Sequence, residues 1–254
     1  DLLYSFEIFI EINMVSMNIS DQKKLVNAIK TSEQCQRNWD LDKSIPQEHL
    51  DIIETALTRC PSKQSRIDYV PYMITNKELI HKIYEKTDGF ITDHTASPPT
   101  TTTNSQVCAN LLIVLLSASE KDKDWLSRLG KDNTRELNPY GTPFGEKEAE
   151  EHDRKAGYKK LENKNTLLNV GVAMGYVVLV ANQLGYRTGI CTCLEGGEVK
   201  KLLGIEPGVP GVPQVFGLIG IGYADKTKDR TQHMFNNYRF PSFSAEKTIE
   251  VKKL

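Results

Sequence analysis

Residues 167–185 read LLNVGVAMGYVVLVANQLG, from Leu167 to Gly185. The stretch has the length of a helix, and its apolar residues fall on nearly every side instead of along one stripe. Such a helix cannot lie on the surface of a monomer and is expected to be covered all round. Gly171 and Gly175 lie four residues apart and therefore share a face, where a second helix or a flat ligand can approach the backbone. Gly185 supplies the helix stop.

Working outward, Arg187–Leu194 reads as a short strand, Glu198–Leu203 as a brief helix, Phe216–Gly222 as an apolar strand and Thr248–Val251 as a last one. Upstream, Asn110–Leu116 is a continuous apolar run of buried-strand type, although length alone leaves a buried helix open. Tyr69–Thr75 has the β-branched and aromatic content of a strand, and Lys77–Lys86 returns to helical spacing. Ser20 is expected to cap an amphipathic helix ending near Thr31. Ser44-Ile45-Pro46 opens another, with Leu50, Ile53, Ala56 and Leu57 on one face and Pro61 closing it. Ala96–Thr103, with two prolines and four consecutive threonines, reads as an exposed, mobile connection. Residues 122–164 are strongly charged and interrupted at Pro139-Tyr140-Gly141 and Pro143-Phe144-Gly145, which predicts helices with a flap. Helices before, between and after at least four strands predict an α+β or mixed α/β core with both sheet faces covered.

The chain has 254 residues, 39% apolar and 26% charged, the composition of an ordinary soluble globular protein. Its 32 basic and 33 acidic residues create no global field to attract nucleic acid or an anionic membrane. No uncharged apolar run approaches the roughly 20 residues of a membrane span; the nearest are Ala109–Ala118 and the interrupted Val170–Ala181. The five cysteines, Cys35, Cys60, Cys108, Cys191 and Cys193, show no paired metal spacing and predict reduced thiols in the cytoplasm. Cys191-x-Cys193 also reads as a redox pair or half a metal site, but two small thiols on a strand is the favoured reading. Residues 1–17 alternate apolar and polar like an edge strand; with Met14 and Met17 as plausible starts, they are set aside as an upstream or tag-like extension. Residues 18–254 are expected to form one domain. The sequence contains neither a G-x-G-x-x-G nor a Walker lysine motif, so any nucleotide site must be of another kind.

Three segments together resemble the nitroreductase family. Residues 33–46, EQCQRNWDLDKSIP, are similar to that family's opening R-x-S-x-(R/K)-x-F, acidic turn and proline-started helix. Cys60-Pro61-Ser62-Lys63-Gln64-Ser65 stands in the place of its A-P-S-x-x-N loop. Leu168–Gly185 and Thr192–Gly196 are similar to its central helix, A-L-G stop and P-I-E-G turn. The chain departs from the pattern at Glu33, Cys35 and Ser65, where the family has arginine, serine and asparagine.

The resemblance implies an α+β fold with a central, mostly antiparallel sheet flanked by helices, in an intertwined homodimer with FMN at each subunit interface. NADH or NADPH would be the electron donor. A quinone, nitroaromatic or other conjugated small molecule would be the acceptor, in ping-pong exchange. It places Arg37 as a cation near flavin N1, and the backbone N–H groups of Glu195 and Gly196 at N5 and O4. Cys35, Ser62, Lys63, Gln64 and Ser65 would line the cofactor, and Lys228 and Arg230, with Lys226 nearby, would bind its phosphate. Tyr140 and Phe144 would contact the substrate. Plainer readings stand beside these: a surface arginine at Arg37, a helix start at Gly196-Gly197, a solvated basic loop at Lys226, and loop anchors at Tyr140 and Phe144. Alternative functions are a flavin-fragmenting or reductively dehalogenating branch of the same fold, and a non-catalytic flavin-binding protein.

Overall fold

The computed structural model describes residues 18–62, 69–93, 95, 100–117, 158–205, 214–241 and 252. The expected extension 1–17, the last strand Thr248–Val251, most of the charged segment 122–164 with Tyr140 and Phe144, and Lys63, Gln64 and Ser65 lie outside these residues.

A four-stranded sheet runs in the order β1 (Tyr69–Ile74), β4 (Leu111–Ser117), β6 (Val215–Gly222) and β5 (Arg187–Cys191), and every neighbouring pair is antiparallel. Pro71 fits β1 because an edge strand tolerates a missing backbone donor. β4 is apolar without alternation because both of its faces are covered. Leu111, Ile113 and Leu115 enter one core with α2 (Gln47–Arg59) and α4 (Tyr158–Gln183). Leu112, Val114 and Leu116 enter a second core with α3 (Lys77–Tyr84) and α5 (Gly196–Leu202). Full burial of each such side chain contributes about 1.5–3 kcal/mol, so this strand anchors both layers.

Several boundaries differ from the sequence reading for identifiable reasons. The cap of α1 (Ile19–Ser32) is Asn18, not Ser20, and the Asn18 side chain accepts the Asp21 N–H at 2.9 Å. α2 stops at Cys60 in extended conformation, since Pro61 excludes the residue before it from helical backbone. α4 begins at Tyr158, inside the segment expected to carry the flap, and ends before Gly185, whose φ of +92° provides the left-handed stop. β5 ends at Cys191, leaving the exposed Cys193 beyond the strand, and α5 starts at Gly196 instead of Glu198. The threonine run is more than a connection. Thr100–Thr102 forms β3, paired antiparallel with β2 (Phe90–Asp93) as β-branched residues favour, and Thr102 is buried.

The α4 helix packs on α1, α2, β5 and β6, but these do not cover it all round. Leu167 is 58% exposed, Leu168 60% and Tyr176 45%. Thr166–Gln183 is also long and apolar enough, by length and composition, to cross a membrane, a match that the interrupted-run reading of the sequence did not register. The core helix of a globular fold meets the same test, and α4 supplies Val170, Ala173, Val177, Val178 and Ala181 to the first core.

Candidate functional site

The edge of β5 meets the segment that follows α1. Cys35 forms a parallel bridge with Thr188, and the Gln36 N–H donates to the Thr188 carbonyl at 2.9 Å. The next N–H, of Arg37, donates to the Arg230 carbonyl at 2.9 Å, and that of Asp40 to the Tyr223 carbonyl at 2.9 Å. Residues 35–40 are thus held between β5 and the chain leaving β6. This brings Arg37 beside Arg230, although neither motif alone dictates the contact.

A third segment closes the corner. The 3-10 turn Ser105–Val107 lies directly on β5 and β6 because Gly189 and Gly220 leave room for it. A Cβ at Gly189 would lie 2.6 Å from Gln106 Cβ and 2.8 Å from the Gln36 carbonyl, and one at Gly220 would collide with the Gln106 carbonyl. The turn and its flanks bury polar side chains that tie the segments together. Ser105 Oγ donates to the Arg37 carbonyl at 2.6 Å, and Trp39 Nε1 donates to the Ser105 carbonyl at 3.2 Å. Asn110 Nδ2 donates to the carbonyls of Asp40 and Lys43 at 2.9 and 2.8 Å, while its Oδ1 accepts the Tyr223 N–H at 3.0 Å. Asn38 Nδ2 reaches the carbonyls of Asp229 and Gln232. Leaving any one of these buried groups unmatched costs about 1–3 kcal/mol, so together they fix the corner tightly.

The charged groups converge here. The Arg37 guanidinium donates to Gln106 Oε1 and lies over the Phe240 ring, 3.9 Å from its centroid. Arg230 donates to the Cys35 carbonyl at 3.4 Å, and Lys228 Nζ donates to the Met234 carbonyl at 2.8 Å. Burial pushes the Cys35 thiol above its ordinary range, against the opposing fields of Arg37 and Arg230. Cys191, on the same strand edge, is pushed up to about 12, chiefly by burial. His233 is held below its ordinary value first by burial and then by Arg37 and Lys228, with a hydrogen bond to the Thr103 backbone opposing the shift. The segments carrying Arg37, Lys228 and Arg230 are hydrogen-bonded together at this corner, and they supply donors of the kind suited to an anionic ligand such as a phosphate monoester.

The other expected contributors are placed differently. Glu195 and Gly196 sit where β5 gives way to α5, and the Glu195 N–H already donates to the Lys86 carbonyl at 2.8 Å. Among the described residues Gly196 is the remaining candidate of that pair for a backbone donor, and it is the first residue of α5, as the helix-start reading expects. Ser62 follows α2 half-buried, and no described hydrogen bond joins it to the arginine corner. Lys226 is exposed. The sequence reading passed over Asn104, Ser105, Gln106, Asn110 and Phe240. The available signal was a polar run, Asn104-Ser105-Gln106, set a few residues before an apolar strand where a plain turn would do.

The sequence pattern of the nitroreductase family matches residues 34–223. Among solved structures, the chain is similar to a nitroreductase family protein from Streptococcus pneumoniae TIGR4, with a TM-score of 0.57 and 17% identity over 88% of this chain and 98% of that one. A putative nitroreductase in complex with FMN from Exiguobacterium sibiricum 255-15 matches with a TM-score of 0.55 and 17% identity, over 85% of this chain and 93% of that one. A putative NAD(P)H:FMN oxidoreductase from Staphylococcus epidermidis ATCC 12228 matches with a TM-score of 0.55 and 15% identity, over 89% and 94%. Curated protein sequences give no match. At these identities the structures establish the fold, an α+β arrangement with a central antiparallel sheet flanked by helices. The family pattern spans the bridge at Cys35, the 3-10 turn, α4 and the strands that carry the arginine corner, and the chain belongs to the nitroreductase family.

Proposed function

We propose that this chain is an FMN-dependent oxidoreductase that takes electrons from NADH or NADPH and acts as a homodimer. The observation that carries the proposal is the joining of the Arg37, Arg230 and Lys228 segments at one corner of a nitroreductase-family fold, where the Arg37 N–H donates to the Arg230 carbonyl and Lys228 Nζ donates to the carbonyl of Met234, whose N–H meets Ser105 Oγ. The printed names of two similar structures, one an FMN complex and one an NAD(P)H:FMN oxidoreductase, point the same way. When bound, FMN supplies the redox chemistry: it accepts hydride from the nicotinamide and yields it to a quinone, nitroaromatic or other conjugated acceptor. The chain's own residues bind and orient. Arg230 and Lys228 hold the phosphate through charge-assisted hydrogen bonds. Arg37 keeps a fixed positive charge at the pyrimidine edge, where negative charge would otherwise accumulate without a partner. The Gly196 N–H offers the backbone donor on the opposite edge, since that of Glu195 is engaged.

The exposed apolar face of α4, with Leu167, Leu168 and Tyr176 beside Gly171 and Gly175, supports association with a second copy of the chain. Free thiols at all five cysteines fit a reducing compartment such as the cytoplasm. The test is direct: release the cofactor by denaturation, identify it chromatographically, then add NADH or NADPH to the native protein without oxygen. FMN and bleaching of the flavin band are expected. No flavin, even after incubation with FMN, would overturn the reading. Replacing Lys228 and Arg230 by alanine should weaken FMN binding by about 1.5–3 kcal/mol for each charged hydrogen bond lost. Unchanged affinity would remove them from the site.

A further inference from the structure

We propose that Gln106 and Phe240 are positioning residues that lock the Arg37 guanidinium from its edge and its face, and thereby help set the reduction potential of the flavin. The inference rests on the function proposed above and adds to it two residues that touch Arg37 instead of the cofactor.

Gln106 can present only its oxygen to Arg37. Its Nε2 donates to Asn104 Oδ1 at 3.1 Å and to the Ile190 carbonyl at 3.4 Å, which leaves Oε1 for the arginine. A flipped amide would aim a donor at a group that has only donors. The residue is 3% exposed, with its Cβ and Cγ seated on Gly189 and its carbonyl on Gly220, so the side chain is held where it is. From the other side the Phe240 ring meets the guanidinium face at 3.9 Å, an attractive cation–π geometry. Phe240 is itself backed by His233, stacked on it at 27° between ring planes, and its N–H donates to the Thr231 carbonyl at 3.0 Å.

The lock also extends to the other half of the site. Asn104, which orients Gln106, donates through Nδ2 to the Asp88 carbonyl at 2.8 Å and through its backbone N–H to Thr87 Oγ1 at 3.0 Å. The Asp88 N–H donates to the Cys193 carbonyl at 3.0 Å, and the Lys86 carbonyl accepts the Glu195 N–H. One continuous set of hydrogen bonds therefore runs from Arg37 through Gln106 and Asn104 to the Glu195–Gly196 turn. A free arginine side chain carries roughly 2 kcal/mol of rotamer entropy. Fixing it in advance makes its charge a permanent part of the site, so that no reorganisation accompanies the arrival of electrons.

The experiment uses three variants: Gln106→Leu, Gln106→Glu and Phe240→Leu. On the purified chain as isolated, the rate at which phenylglyoxal modifies Arg37 is read by mass spectrometry, with the exposed Arg59 as internal control. Arg37 should react at least fivefold faster in Gln106→Leu and in Phe240→Leu. Gln106→Glu keeps an acceptor for Arg37 but loses both Nε2 donations, so its rate should fall between those of wild type and Gln106→Leu. On the same proteins loaded with FMN, the midpoint potential should become more negative in Gln106→Leu and Phe240→Leu. A tenfold loss of preference for the reduced flavin reads as about 30 mV for a two-electron couple. Should Gln106→Leu fail to fold, Phe240→Leu carries the test by itself. Unchanged Arg37 reactivity in the folded variants overturns the lock. Faster reactivity with an unmoved potential overturns its link to the flavin. A wild-type chain that binds no FMN overturns the proposed function, while the phenylglyoxal rates still decide whether the lock exists.

Discussion

At Gly220 in β6 an added Cβ would collide with the Gln106 carbonyl, whereas at Gly171 and Gly175 in α4 it would meet nothing within 4 Å among the described residues. The neighbours repeat the contrast. Leu218, Ile219 and Ile221 around Gly220 are fully buried, while Leu168 and Tyr176 beside the helical glycines are 60% and 45% exposed. The sheet glycine is required by a contact that the chain already makes. The helical pair, each of which weakens a helix by roughly 0.8–1 kcal/mol relative to alanine, meets no such contact among the described residues. Among the described residues the sheet around Gly220 is fully covered and this face of α4 is not, which is why α4 carries the proposed contact between copies and the sheet carries the arginine corner.

The harshest way to break this contrast is Gly220→Ala. A backbone carbonyl cannot give way as a side chain can, so urea unfolding should show a loss of about 3 kcal/mol or more. Stability like that of wild type would mean that the 3-10 turn is not seated on the sheet. Gly171→Leu should leave the fold intact, because its side chain enters open space within the chain, but weaken self-association at least tenfold, about 1.4 kcal/mol. Sedimentation and flavin absorbance on one sample check this, and both should fall together. A monomer that keeps full FMN occupancy would place the site within one chain. Gly175→Ala sharpens the same point with a smaller change. In dilute, dissociated protein it should raise stability by up to about 1 kcal/mol, and in associated protein the gain should shrink or reverse.

The weakest effect tests the sheet side through pH. His233 is buried, its Nδ1 accepts the Phe235 N–H at 3.1 Å, and its pKa is lowered mainly by burial. An unfolded histidine titrates near about pH 6.5, so below that the unfolded chain binds the proton that the folded chain resists. Stability from this group is full above about pH 6.5 and is lost as pH falls toward the lowered folded value. Melting temperature should decline more steeply for wild type than for His233→Gln as pH drops from about 7 to 5. Parallel curves would show that His233 is not held neutral beside Arg37 and Lys228.

Much of this was legible before any coordinates. The run Asn110–Leu116 indicated a buried strand, with a buried helix left open by length alone, and Gly185 indicated a helix stop, because both are local consequences of side-chain type. The start of α4 was hidden, since residues 158–166 carry no apolar stripe and give period-based reading nothing to count. The threonines of β3 were hidden by two prolines next to them, which made breaker content outweigh strand propensity.

The sequence by itself determined the apolar elements, their stops and the supply of basic residues at Arg37, Lys228 and Arg230, because hydrophobic period, turn chemistry and charge are written within a few residues of one another. Only the tertiary structure decided that Arg37 is met by Gln106, 69 positions away, and by Phe240 near the other end of the chain. It also decided that the Glu195 N–H is spent on Lys86. A buried polar group takes whatever partner the chain crossing brings within 3 Å or so, and crossings follow from how two apolar layers close on a sheet, which no short window of sequence contains.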